Sequence, residues 1–254
     1  MAPERLQNVL SGAGLASRRR AAAIIREGRV AVNGITVSEP GYRVEGGDVV
    51  TLDGEPVGAR ENTIYLLLHK PVGYVSTVRD PQGRKTVMDL VSGVSQRVYP
   101  VGRLDLDSSG LILMTNDGDL AASLAHPRYQ VSKTYRVRVI GVPSSWALAC
   151  LREGVSLEDG VTAPAEVRLA GRWAKGAEME FVLREGKKRQ VRRMCQAVGH
   201  PVSALCRTAL GPLELGDLAP GAWRPLGPAE IRALKQAPRR WRSERGPGGR
   251  GHAR

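Results

Sequence analysis

Strand-forming runs outnumber helical ones in this sequence and the two kinds do not alternate, which constrains the fold more than any other feature. Ile64-Tyr-Leu-Leu-Leu68 is a short, wholly apolar run of the kind a strand buried on both faces requires. Segments 73–78, 98–101, 111–115, 133–140, 161–169, 178–184, 203–210 and 212–215 also read as strands, against helices at 120–125, 144–153, 190–198 and 229–236. A parallel sheet would need a regular alternation of strand and helix. The expectation is therefore an α+β fold, with a small module followed by a larger domain on a mixed, mainly antiparallel sheet.

The small module spans residues 1–55. Residues 5–11 read as a short helix, interrupted at Gly12-Ala-Gly14. Ser17 is placed to cap a second helix over 18–27, which Gly28 stops. Ile24 and Ile25 give that helix an apolar side, and Arg18, Arg19 and Arg20 give it a basic one. Arg29-Val-Ala-Val32 alternates like a strand, Asn33-Gly34 signals a turn, and Val49-Val-Thr-Leu52 supplies another strand. Gly12-x-Gly14 is not a dinucleotide loop, because no strand precedes it. Residues 56–63 read as a linker and 64–238 as the larger domain. Residues 239–254, rich in Gly and Arg, read as a flexible basic tail.

The net charge of +13 is concentrated. Residues 17–30 hold five Arg against one Glu. Residues 184–193 hold six cations against one Glu, and 239–254 six Arg against one Glu, leaving the rest of the chain near neutrality. Dense basic patches on a neutral body suit a polyanion, most often nucleic acid. One Phe, four Trp and six Tyr are too few for a sheet that stacks successive bases, so docking by charge with one extruded base is the better fit. No apolar run approaches the ~20 residues of a membrane span, and the first residues lack a secretory pattern. Cys150, Cys195 and Cys206 have neither disulfide nor zinc spacing. A cytoplasmic protein without structural metal or membrane partner is expected.

The most informative segment is Tyr99-Pro-Val-Gly-Arg-Leu-Asp105-Leu-Asp-Ser-Ser-Gly110-Leu-Ile-Leu-Met-Thr-Asn-Asp-Gly118. Asp105-x-Asp107-x-Ser109-Gly110 opens like a calcium loop, but the position for the bidentate acid falls on Asn116. A phosphohydrolase with an Asp nucleophile and magnesium would carry Thr or Val where Ser109 stands and lie nearer the start of its domain. A purely structural turn between two strands fits these few residues equally well.

The wider pattern separates these readings. Residues 1–55 resemble the S4 RNA-binding domain through Arg5-Leu6, Gly14-Leu-Ala-Ser-Arg-Arg19, Ile25, Gly28-Arg-Val-Ala-Val-Asn-Gly34 and Gly47-Asp-Val-Val50. Gly102-Arg-Leu-Asp105 and the run from Asp107 to Gly118 resemble the signature of the pseudouridine synthases, in the branch that modifies ribosomal RNA. His69-Lys-Pro-Val-Gly-Tyr74, His126-Pro127, Lys133-Thr-Tyr135, Glu185-Gly-Lys-Lys-Arg-Gln-Val-Arg-Arg-Met194 and Arg207 to Gly211 follow in the expected order. The resemblance covers residues 4–236, and Tyr99 to Asp105 together with the basic tail bring it nearest the enzymes of the large ribosomal subunit. The small-subunit enzymes share most of these residues.

The resemblance implies that uracil is detached from C1′ of one uridine in RNA, turned and reattached through C5, without a cofactor. It implies Asp105 as the essential carboxylate, leaving open attack on the ribose, attack on the base, or removal of a ribose proton. It implies Arg192 as the cation beside Asp105; a fixed cation offsets the cost of keeping a carboxylate charged away from water. Tyr135 would stack on the extruded uracil and assist proton movement at C5, and Arg103 would enter the gap the nucleotide leaves. Arg18, Arg19, Arg20, Arg29, Asn33, Lys187, Lys188, Arg189 and Arg193 would contact RNA. A monomer is the simplest expectation. A catalytically idle ribosome-assembly factor is the competing one, although a pure binder has no need of Asp105.

Overall fold

A computed structural model of the chain describes residues 3–244, with side chains up to residue 237. The chain divides into two compact units, the first holding the residues up to Thr63 with Ser95–Arg97, and the second the remainder.

In the first unit β1 (Glu4–Arg5) leads into α1 (Leu6–Gly12) and α2 (Arg18–Arg26). The strands β2 (Val30–Val32), β3 (Ile35–Thr36), β4 (Arg43–Val44), β5 (Val50–Leu52) and β6 (Glu55–Pro56) follow. Ser17 caps α2 as its spacing predicts, its hydroxyl accepting from the Arg20 N–H at 3.2 Å. Ala21, Ile24 and Ile25 of α2 pack with Leu6, Leu10, Val30 and Val32. Arg18, Arg19 and Arg20 are left exposed on the other side. The sheet runs β3-β2-β5-β6, and β1 pairs with β4.

The second unit begins with β7 (Tyr65–Lys70), β8 (Tyr99–Val101), β9 (Ser109–Thr115), α3 (Gly118–Ala125) and β10 (Lys133–Ile140). It continues through α4 (Ser145–Glu153), the two-residue strands β11 (Ser156–Leu157) and β12 (Gly160–Val161), β13 (Glu166–Trp173) and β14 (Gly176–Leu183). α5 (Gln190–Ala197), β15 (Val202–Leu210), β16 (Leu213–Glu214), β17 (Trp223–Pro225) and α6 (Pro228–Glu244) complete it. The main sheet has the order β13-β14-β10-β15-β9-β7-β17. Its described strand pairs are antiparallel except β9 with β15, where Cys206 opposes Ser109 and Arg207 opposes Gly110 in parallel.

Residue pattern explains where each strand lies. Along β7, Tyr65 and Leu67 join one core cluster while Leu66 and Leu68 join another; β9 divides the same way, with Leu111 and Leu113 against Ile112 and Met114. Residues 65–68 and 111–114 are apolar throughout because both faces are covered. β10 alternates instead: Val137 and Val139 are buried, while Arg136 and Arg138 are exposed. That end of the sheet has one wet face.

Three segments depart from expectation. Residues 73–78 form no named strand; Gly73 has φ 91° and only Val75 makes an isolated bridge, to Thr86. Their alternating pattern serves a support under the following loop, described below. The run 161–169 is split between the β11–β12 hairpin and β13. Finally, α6 continues past residue 236 to Glu244, so the first residues assigned to a flexible tail from 239 are helical. Arg and Glu are adequate helix formers, and basic composition does not by itself end a helix. Residues 245–254 of that tail lie outside the described residues.

Candidate active site

The loop between β8 and β9 carries Arg103, Asp105 and Asp107, and neighbouring groups hold it at several points. Gly102, at φ 72°, lets the chain turn away from β8. Ser76 then clamps the next residue but one in both directions: its hydroxyl donates to the Leu104 carbonyl oxygen at 2.9 Å and accepts from the Leu104 N–H at 3.0 Å. The Gly73 N–H donates to the Leu106 carbonyl oxygen at 2.8 Å. Lys70, fully buried at the end of β7, donates from Nζ to the carbonyl oxygens of Ser108 (2.7 Å) and Pro71 (2.9 Å). Burial pulls the Lys70 ammonium down to about 8, while the charges of Asp105 and Asp107 oppose that fall.

Asp105 is half-buried and lines a cleft of about 560 Å³. Arg103, Lys133, Tyr135, Lys188, Arg189 and Arg207 are among the other lining residues. Tyr135 comes from β10, half-buried against the core between β10 and α5. Arg103 is exposed at the cleft.

The cation nearest Asp105 differs from expectation. Arg189 Nη1 lies 3.7 Å from Asp105 Oδ2, and the same guanidinium donates twice to the Asp107 carboxylate, at 3.0 and 2.8 Å. These bonds hold the Asp107 carboxyl below its usual range. Arg192 instead places Nε 3.3 Å from Asp107 Oδ2 and donates from Nη2 to the Asp107 carbonyl oxygen at 2.8 Å. It therefore braces the turn after Asp105 and does not pair with Asp105 itself. The two arginines lie three residues apart, near the start of α5, and face the same loop. Arg189 is the residue before α5 and has a left-handed backbone at φ 51°, which distinguishes its reach from that of Arg192.

The remaining cations divide into engaged and available. Arg193 donates twice to Asp159, at 2.8 and 3.0 Å, and Lys187 donates to the carbonyl oxygens of Asp159 and Gly160 at the β11–β12 hairpin. Lys188 is exposed at the cleft. In the first unit, Arg29 makes two bonds to Asp53 (2.9 and 2.6 Å), and Arg20 pairs with Glu27 at 2.9 Å. The Asn33 amide bonds Asp48 at 2.8 Å and accepts from the Val49 N–H at 2.9 Å, so it fixes a turn at φ 52°. Arg18 and Arg19 stand exposed on α2.

Sequence pattern alone assigns no separate role to Lys70 or Arg207, although each carries a signal. Lys70 ends an apolar strand, and Arg207, 2% exposed, interrupts the alternating β15. Cys195 is fully buried, and burial pushes its thiol up to about 12, away from the thiolate form. Among the described residues no three His, Cys, Asp or Glu side chains are grouped to hold a metal ion, and no helix is long and apolar enough to cross a membrane.

An S4-type module followed by a sheet domain that holds an aspartate loop beside a cation-lined cleft defines an RNA-modifying enzyme. The chain belongs to the RNA pseudouridylate synthase family, whose model matches residues 64–197, with an S4 domain matched at 4–50. It is 44% identical over 234 residues to the ribosomal large subunit pseudouridine synthase B of Bacillus subtilis, covering 91% of this chain and 96% of that protein. The Vibrio cholerae protein of the same name is 40% identical, covering 92% and 74%. A crystal structure of a pseudouridylate synthase superposes with a TM-score of 0.63 at 28% identity, covering 91% of this chain and 99% of its own.

Proposed function

We propose that this chain converts one uridine of ribosomal RNA, in the large subunit, to pseudouridine, with Asp105 as the essential carboxylate. The observation that carries the reading is the Asp105 loop, fastened by Lys70, Ser76 and Arg192 beside a cleft that also presents Tyr135. A cleft of about 560 Å³ has room for an extruded nucleotide. Tyr135 offers a face on which uracil stacks and a phenol near the base. Arg103 fills the gap left in the RNA. Arg189 keeps a positive charge beside Asp105 while the reaction proceeds. The names of the Bacillus and Vibrio relatives support the large subunit as the source of the substrate.

In this reading residues 1–55 dock on folded RNA by charge and shape, 56–63 join them to the catalytic domain at 64–238, and the protein acts as a cytoplasmic monomer without a cofactor. Arg18, Arg19, Lys188 and Arg103 contact RNA directly, while Arg20, Arg29, Asn33, Lys187 and Arg193 act mainly through the internal bonds already described.

The test is incubation with 23S and 16S rRNA transcripts in EDTA, followed by carbodiimide–primer extension to map pseudouridine. A single new stop in 23S RNA with the wild type, absent with Asp105→Asn at unchanged RNA affinity, is the expected result. No stop in either RNA overturns the isomerase reading in favour of a binding factor. A stop in 16S RNA alone overturns the subunit assignment.

A further inference from the structure

The cleft contains a buried cation whose hydrogen-bonding capacity the groups around Asp105 leave unused. Arg207 opposes Tyr135 across the β10–β15 pair and Gly110 across the β9–β15 pair. Its Nε donates to the Leu111 carbonyl oxygen at 2.8 Å, which fixes the guanidinium plane, while Nη2 is buried and meets no acceptor. Among the described residues no carboxylate forms an ion pair with Arg207. Lys133, two residues before Tyr135 and so on the same face of β10, also lines the cleft. Its ammonium is disfavoured by burial and then by the Arg207 charge. Lys133 is partly compensated, by the Val131 and Glu185 carbonyl oxygens at 3.4 and 3.5 Å, whereas the Arg207 donor is not; a ligand that accepts a hydrogen bond or carries negative charge there relieves that cost.

We propose that Arg207 Nη2 donates a hydrogen bond to a carbonyl oxygen of the extruded uracil and stabilises the negative charge the base acquires during isomerisation. The proposal rests on the uridine isomerase reading above. When the C1′–N1 bond breaks, its electron pair goes to the base and spreads to O2 and O4. When C5 attacks C1′, that charge forms the new C–C bond, C5 loses its proton and N1 gains one, so composition is unchanged. Addition of a nucleophile to C6 instead charges O4 alone, so a donor at O4 serves either route and one at O2 only the first. The base, rather than a phosphate, is the group that reaches a residue only 2% exposed, because a flipped nucleotide inserts base first.

The test uses the rRNA fragment that contains the mapped uridine, made with uridine, 2-thiouridine or 4-thiouridine at that position; thiocarbonyl sulfur is the weaker acceptor. Arg207→Met should lower kcat by about a hundredfold, with RNA Kd held within about threefold, and Arg207→Lys should recover part of that loss. With one of the two thio substrates the wild type should slow and the Arg207→Met penalty should shrink about tenfold, because the interaction is already weakened. A purely structural Arg207 would not respond to the thio position. A folded Arg207→Met enzyme with wild-type kcat overturns the proposal, as do penalties that multiply on both thio substrates. Coupling to a phosphorothioate flanking the target also overturns it and points to the backbone. If Arg207→Met fails to fold, the same coupling is read with Arg207→Lys. An inactive wild type would instead overturn the isomerase reading itself, so the two failures are distinguishable.

Discussion

Arg189 Nη1 stands 3.7 Å from Asp105 Oδ2 while two bonds to Asp107 hold the same guanidinium in place. Asp107 thus acts through Arg189, fixing the position of the charge that Asp105 faces. Arg189→Gln should reduce kcat by about ten- to a hundredfold, because it removes the positive charge that Asp105 faces at 3.7 Å, with little change in melting temperature. Arg192→Gln should instead lower thermal stability, because Arg192 bonds the Asp107 and Val202 carbonyl oxygens. Paired kinetic and melting measurements on the two variants check this, and a reversed pattern would restore Arg192 as the partner of Asp105.

Lys70 ties the turn after Asp105 to the end of β7, and its removal should be felt in turnover more than in RNA affinity. Lys70→Met is expected to lower kcat about tenfold through a loosened Ser108. A pH dependence accompanies it. The folded Lys70 titrates at about 8, below its ordinary value of 10.5, so the unfolded chain holds this proton more tightly. Below pH 8 the fold bears the full cost of the buried charge, and that cost disappears as pH rises toward 10.5. Wild-type stability relative to Lys70→Met should therefore increase across this window in urea titrations, and a flat difference would show that the folded Lys70 holds its proton as tightly as the unfolded chain does.

Gly110 has φ 112°, and a Cβ there would collide with the backbone of Arg207 across the parallel β9–β15 step. Gly110→Ala should cost on the order of 3 kcal/mol, combining left-handed strain with overpacking. Chemical denaturation measures the destabilisation. A variant within experimental error of wild type would mean that the two strands part without penalty.

For the first unit, the exposed pair Arg18 and Arg19 should dominate phosphate binding on α2, since Arg20 and Arg29 already face Glu27 and Asp53. Neutralising Arg18 and Arg19 should reduce the log–log salt slope of RNA binding by about 0.7 to 0.9 for each phosphate that is no longer neutralised. Arg29→Gln should change it less. Filter binding at several salt concentrations checks the order.

Much of the fold follows from local pattern. The alternation at 133–140 predicts a strand, and β10 occupies Lys133–Ile140, because one of its faces is wet and the pattern is clean. The caps at Ser17 and Ser144 are equally local, each a hydroxyl serving the first turn of its helix. Other features depend on distant partners. Residues 73–78 alternate like a strand, yet Ser76 and Gly73 direct their hydrogen bonds to the Asp105 loop, a choice no local pattern records. The motif at 185–194 brings several cations near Asp105, but choosing Arg189 over Arg192 requires the backbone before α5. Arg207 reads as part of a terminal motif; its unpaired donor becomes visible only with β9 and β10 in place on either side.

Ser76 satisfies both backbone groups of Leu104 with one hydroxyl. In an ordinary sheet those two bonds would belong to a neighbouring chain lying beside Leu104 and continuing past Asp105. Here a single oxygen acts as a surrogate strand. The backbone of Leu104 is held as it would be inside a ladder, and the exchange of one hydroxyl, Ser76→Ala, would strip two backbone groups of their partner at once.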